Sequence, residues 1–241
     1  HNAHRRQRQM CIRDRISVIV INDASSQQII DQYQNTENIN SIEIINMKEN
    51  RGHTRCIASG LKYIFEKKEF DYVIPMDGDG EDRPEELSLL IEKIKEYPDT
   101  VITAERVKRS EGFIFKFCYL VHKYLTLVFT GKTIKYGNYT CLPKSVVNEM
   151  VIEPATWSSF SGSLAKIAKD KKSIPSERSK RYFGPSKMSF INLLKHSLSI
   201  IAVFKTTLLI RSVLFLIAYL FLIIGKISII TLIPVFGVII M

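Results

Sequence analysis

An α/β fold, with a mostly parallel sheet, helices on both faces and membrane-associated helices after it, is what this 241-residue sequence predicts. Three observations lead there. Short β-branched runs alternate with stretches of helical period between residues 16 and 106. Acidic residues gather at the carboxyl ends of those runs. A long apolar stretch follows a dense basic block towards the carboxyl end. Alternation of this kind yields a sheet covered by helices, with ligands bound beyond the strands' carboxyl ends.

The elements follow in order. ISVIVIN (16–22) is continuous and β-branched and stops at Asp23; SIEIINM (41–47) is the next strand. Residues 52–67 place Cys56, Ile57, Leu61, Ile64 and Phe65 at helical spacing. DYVIPM (71–76) is a third apolar run, halted by DGDGEDRPEE, where Pro84 suits the first turn of the helix ELSLLIEKIKEY. TVITAE (100–105) is a fourth strand.

Net charge is +10, but its distribution argues against a nucleic-acid binder. Residues 16–165 carry −4, residues 1–15 carry +4, and residues 166–211 carry +9. The four cysteines are far apart with no Cys-Xaa-Xaa-Cys pair, which argues against a disulfide framework or zinc site and for a reducing compartment.

Residues 207–225 form a 19-residue apolar stretch with one charge, Arg211, which is expected to snorkel at the membrane edge. Residues 227–241 are apolar but short for a span, and are expected to be a second span that the end of the sequence cuts off. The basic block places the preceding domain on the cytoplasmic side, with multi-pass anchoring, most simply in a bacterial inner membrane. Residues 184–206 are expected to form an amphipathic helix in the interface, a helix packed on the domain being the alternative. A buried helical hairpin is the other reading of the two apolar runs.

Asp23 closes the first strand; Asp77 and Asp79, then Glu81 and Asp82, follow the third. Carboxylates two residues apart on a glycine-rich turn can converge on one hard cation, although most such pairs are solvated loops or helix caps. Gly78 and Gly80 leave room for a tight turn and a close ligand.

VIVINDAS, ENRGHTRCIASG and IPMDGDGEDRPEEL together resemble the family 2 glycosyltransferases of GT-A (Rossmann-like) fold. RYFGPSKMSF resembles a stretch that precedes the interface helix and membrane spans of the polyprenyl-phosphate glycosyltransferases. The likeness covers about residues 16–241 and implies a GT-A catalytic domain over residues 16–183. It implies that Asp23 contacts the nucleotide base, Asp77 the ribose or diphosphate, and that Asp79 is the main ligand of a Mg²⁺ or Mn²⁺ ion. Asp77 and Glu81 complete that metal set, Glu81 standing where relatives often have Gln. Arg106, Arg109, Arg181, Ser186 and Lys187 are matched to phosphate-binding positions, Arg106 and Arg181 as catalytic residues; solvated or headgroup-facing charge is the plainer reading of each.

Departures from the pattern are Asn22 and Ala24 for the commoner Asp and Gly, and Asn138 in a usual Asp position. His53 reads as a helix-start residue and not a catalyst; for Trp157 and Phe160, packing is the plainer reading and lining an acceptor site the alternative. No nucleotide-holding first strand precedes Ile16. Residues 1–15, an Arg-rich leader containing MCIRDR, which resembles a translated adapter sequence, are expected to be non-native or disordered. The chain is therefore expected to be truncated at both ends.

The implied activity is inverting, metal-dependent transfer of a sugar from a nucleotide-sugar donor to a polyprenyl phosphate. The implied partners are those two substrates and membrane lipids, without nucleic acid, and with homo-oligomerisation left open. The competing expectations are a membrane glycosyltransferase acting on a glycan or lipid hydroxyl, and an inactive membrane-anchored fragment that only binds nucleotide-sugar.

Overall fold

A computed structural model describes residues 16–26, 39–106, 113–179, 181–182, 190–225, 228, 231–232 and 234–235. The chain divides into two compact units, residues 1–69 and 70–241.

In the first unit, β1 (Ile16–Asn22) pairs in parallel with β2 (Ile39–Asn46), Val18 facing Ile42 and Ile21 facing Ile45. Helix α1 (His53–Lys67) buries Cys56, Ala58, Gly60 and Leu61. The glycine has a purpose: a Cβ at position 60 would lie 3.2 Å from Cγ1 of Ile21, so its absence lets the helix lie close on β1. Both strands and the helix match the sequence expectation to within two residues.

The second unit holds a four-stranded sheet in the order β3 (Tyr72–Val73), β5 (Tyr136–Pro143), β4 (Val101–Arg106), β6 (Lys171–Ser176). The expectation of a mostly parallel sheet is corrected here. β5 runs antiparallel to both β3 and β4, and only β4 and β6 are parallel. The expected third strand, residues 71–76, contributes two ladder residues; Pro75 within it has no N–H to donate.

The core is built where helix α2 (Leu87–Glu96) covers this sheet. Leu90 and Ile94 from the helix meet Ile102, Ala104, Tyr139, Cys141 and Ile174 from the strands. A 3₁₀ turn, Pro84–Glu86, leads into α2, with Pro at its first position as expected.

Helix α3 (Phe113–Thr130) carries the chain from β4 to β5, and α4 (Lys144–Ile152) and α5 (Phe160–Ile167) carry it on to β6. Phe160 is 2% exposed, a packing residue as expected, whereas Trp157 is 39% exposed. Ser159 caps α5 by accepting the Gly162 N–H at 3.2 Å.

Helix α6 (Phe190–Ala202) falls within the expected interface segment. It exposes Leu194 and Leu198 but buries Ile200 and Ile201, so it also packs on the domain. Helix α7 (Lys205–Leu222) is, among the described residues, the one helix long and apolar enough to cross a membrane. The expected second span lies mostly outside the described residues.

Arg211, expected to snorkel, is bonded to a neighbouring helix. Its Nη1 donates to the carbonyl oxygens of Leu127 (3.3 Å) and Val128 (2.6 Å), at the C-terminal end of α3. The last-turn carbonyls of a helix lack the full run of intrahelical donors, and a cation there is favoured by the helix dipole.

Candidate functional site

The first site segment follows β1. Both oxygens of the Asp23 carboxylate accept backbone N–H groups, from Arg51 at 2.7 Å and Gly52 at 2.8 Å. Asn50 Nδ2 donates back to the Asp23 carbonyl oxygen at 3.2 Å. Asp23 thereby pins the 50–52 turn, whose Gly52 has φ of 85° and leads straight into α1. Beneath it, burial and then the neighbouring Asp23 carboxylate, which accepts the thiol's hydrogen bond, push the Cys56 thiol up to about 11. His53 is the first residue of α1, as its sequence position predicts.

Ala24 has φ of 51°, the left-handed region where relatives are expected to carry Gly. The turn is held by the Asn22 side chain, whose Oδ1 accepts the Ser25 N–H at 3.1 Å while its Nδ2 donates to Asn46 at 2.8 Å. An amide makes that pair of bonds, one accepting and one donating; a carboxylate at position 22 would need the Asn46 amide turned to donate.

The second segment, residues 77–82, leaves β3. Asp77 N–H donates to the buried Asp82 carboxylate at 2.9 Å, and Glu81 N–H donates to Asp79 Oδ1 at 3.0 Å. Behind the loop, the Tyr139 hydroxyl donates to the Arg83 carbonyl oxygen at 2.8 Å. Burial, then the carboxylates of Glu86, Asp82 and Glu85, push the Tyr139 hydroxyl far up, so it serves as a neutral donor.

Against this loop lies the chain just after β6. Arg181 Nη2 stands 2.7 Å from Asp79 Oδ2, and its Nε is 3.3 Å from Glu81 Oε1. Arg178 pairs with Glu81 as well. The backbone joins in: Ser179 N–H donates to the Glu81 carbonyl oxygen and Tyr182 N–H to that of Asp79, each at 3.0 Å. Gly80, with φ of 86°, faces the Tyr182 ring, and a Cβ there would come within 2.5 Å of it.

The expected metal site is not assembled in this arrangement. Asp79 Oδ2 and the Glu81 carboxylate are engaged by guanidinium groups. Among the described residues no group of three His, Cys, Asp or Glu could hold a metal ion. The carboxylates are present but their charge is already met by arginine, so the residues as placed do not fit Mg²⁺ or Mn²⁺.

Of the other expected site residues, Arg106 is the last residue of β4, its backbone opposite Ser176 of β6. Asn138 lies on β5. Arg109, Ser186 and Lys187 lie outside the described residues, as does the leader, residues 1–15. Arg178, Tyr182 and Glu86 were not foreseen. The one signal for Arg178 was charge complementarity between SERSKRY and DGDGED.

Residues 3–141 match the family model described as Glycosyl transferase family 2. The matched residues include the Asp23 turn, the acidic loop and most of β5. An uncharacterised glycosyltransferase of Synechocystis sp. (strain ATCC 27184 / PCC 6803 / Kazusa) is 25% identical over 184 residues, covering 73% of this chain and 55% of that protein. The chain thus spans about half the length of this curated relative.

Proposed function

The chain belongs to glycosyl transferase family 2, and from that premise we propose that its enzyme moves a sugar from a nucleotide-sugar to a polyprenyl phosphate at the cytoplasmic face of a membrane. Asp23 is assigned to the nucleotide base. In the second unit, Asp77 is assigned to the ribose or diphosphate side; Asp79, the expected main metal ligand, is here assigned to holding Arg181.

The observation that carries this reading is the pairing of Arg181 with Asp79 at 2.7 Å. A guanidinium held at the acidic loop, on the segment that leads into α6 and α7, joins a phosphate-binding group to the apolar helices. Arg offers a bidentate fork to a phosphate. Arg106, Arg109, Ser186 and Lys187 are proposed to complete the phosphate-binding set.

The acceptor phosphate is largely ionised near neutral pH, its second pKa being about 6 by analogy with phosphoserine. An oxygen of that phosphate attacks the anomeric carbon, the bond from that carbon to the diphosphate oxygen breaks, and the nucleoside diphosphate leaves. The sugar configuration inverts. No strong base is needed, which distinguishes this reaction from transfer to a hydroxyl. The position of Arg181 supports the phosphate acceptor over the hydroxyl one. A Mg²⁺ or Mn²⁺ requirement belongs to this proposal only if the arginine pairs open.

Membrane association is supported by α7 and by the apolar surface it shares with α3. Leu120, Val121, Tyr124, Val128 and Phe215 line an open, almost wholly apolar groove of about 530 Å³. Phe129 and Phe215 meet edge to face, their centroids 6.2 Å apart. A bilayer or a prenyl chain is the environment that such a surface suits.

The test is a radiolabelled-sugar assay on full-length protein in nanodiscs, with polyprenyl phosphate, Mg²⁺ or Mn²⁺ and common nucleotide-sugars. Lipid-linked sugar is expected, and Arg181→Ala is expected to lower kcat/KM by about 100-fold, in the range of losing one charge-stabilising group. Absence of lipid-linked product with every donor, or transfer to a glycan hydroxyl instead, overturns the reading.

A further inference from the structure

Glu86 closes the 3₁₀ turn that follows the acidic loop, and its carboxylate is buried, the residue being only 7% exposed. Its Oε1 accepts the Glu177 N–H at 3.0 Å. Its Oε2 meets no hydrogen-bond donor among the described residues. The Tyr139 hydroxyl, close enough to feel the charge of Glu86, donates instead to the Arg83 carbonyl oxygen at 2.8 Å. A carboxylate taken out of water with one oxygen unmet lowers stability. In return, it accepts an N–H about twice as strongly as a neutral oxygen does. The gain from this carboxylate is thus concentrated in one place, its grip on Glu177.

β6 ends at Ser176, so Glu177 carries the first N–H beyond the ladder, and Glu86 fixes the direction in which the chain leaves the sheet. The next residue, Arg178, meets the Glu81 carboxylate, and Ser179 N–H donates to the Glu81 carbonyl oxygen at 3.0 Å. Further on, Arg181 meets Asp79 at 2.7 Å and Glu81 at 3.3 Å. The backbone after β6 is therefore held at two points, Glu81 and Glu86, that lie on one short stretch of chain. We propose that Glu86 is a positioning residue, which sets Arg178 and Arg181 in register against the acidic loop and so places the acceptor phosphate. The inference rests on Arg181 being the phosphate-binding group of the reading above. Glu86 itself touches no substrate in this scheme.

The test uses the full-length chain in nanodiscs, unmutated and as Glu86→Leu and Glu86→Gln. Leu fills similar buried space without the charge, so the fold is expected to survive it. Glu86→Leu should raise the KM for polyprenyl phosphate about tenfold while kcat and the donor KM stay within about twofold, because the misplaced groups bind the acceptor. Glu86→Gln keeps an acceptor oxygen for the Glu177 N–H and should recover most of that loss, to within about threefold of the unmutated chain. Hydrogen–deuterium exchange reads the placement without any sugar transfer. The Glu177 and Ser179 amides should exchange about tenfold faster in Glu86→Leu only, with the β4 and β5 amides as protected as before, which also shows the variant to be folded. Equal rises in both KM values, a fall in kcat, no recovery in Glu86→Gln, or unchanged exchange at Ser179 overturns the positioning role. If the unmutated chain makes no lipid-linked sugar, the transferase reading fails, and the exchange result alone then decides whether Glu86 holds the arginines in place.

Discussion

The guanidinium of Arg211 donates to the carbonyl oxygen of Val128 at 2.6 Å, so the one charge in the apolar stretch of residues 207–225 is used to close the end of another helix. Next to it, Gly131 takes φ of 71° and donates its N–H to the Leu127 carbonyl oxygen at 2.8 Å, the left-handed C-terminal cap that glycine favours. α3 and α7 are thereby joined by a polar clasp within an apolar surface.

Breaking that clasp has a stated cost. Arg211→Leu should destabilise the α3–α7 pair by about 1 kcal/mol, the worth of a cation at a helix C-terminus. Gly131→Ala should cost about the same from its backbone conformation alone, and more because its Cβ would lie 2.8 Å from Arg211 Nη2. The Arg211 end can swing away, so the two losses overlap: the double variant should be less destabilised than the sum. Thermal unfolding of the four proteins in one detergent checks the cycle.

Ala24 offers a stabilising change. An L-residue in the left-handed region costs about 1–2 kcal/mol, and glycine avoids this at about 0.5–1 kcal/mol of chain entropy. Ala24→Gly should therefore raise the stability of the first unit by about 0.5 kcal/mol, seen as a higher denaturation midpoint. A lower midpoint would mean that the methyl group makes contacts worth more than the strain.

The Cys56 thiol, held up at about 11 by burial and by the Asp23 carboxylate, predicts a pH dependence. The unfolded chain loses this proton at about 8.5, whereas the folded chain keeps it. Folded stability thus falls as pH rises from there towards 11, and Cys56→Ala should flatten that decline. Iodoacetamide at pH 8 should leave Cys56 unmodified in the folded protein, read by peptide mass. Asp23→Ala should make it reactive, because both N–H groups of residues 51 and 52 lose their acceptor.

Glu153 predicts the acid limb. Its carboxylate accepts from Lys166 at 2.7 Å and from the Ala155 N–H at 3.2 Å, and these partners, Lys166 first, hold its carboxyl below the usual range. The stability this contributes is present above the unfolded value and lost as pH falls through the lower folded one. With Lys166 nearly half exposed, the pair is worth less than about 1 kcal/mol. Glu153→Gln should remove a small part of the acid sensitivity in unfolding curves taken below about pH 4.5.

What the sequence determined by itself is what local chemistry encodes. β1 and α1 appear where β-branching and helical period put them, and the acidic loop begins where Gly and Asp interrupt the third apolar run. α7 covers most of the longest apolar stretch. Each of these depends on neighbours within a few residues, and period or composition records such dependence. β5 was hidden because YGNYTCLP carries Gly, Asn and Pro, and its burial comes from both flanking strands and not from a pattern of its own. The antiparallel direction of β5, the hold of the chain after β6 on and around the acidic loop, and the Arg211 clasp were decided only in three dimensions. The last two join residues 91 and 83 positions apart. A charge in a sequence can state that it needs a partner, but only the packed chain brings that partner within hydrogen-bonding distance. Arg181 was thus legible as a functional charge, whereas its hold on Asp79 was not.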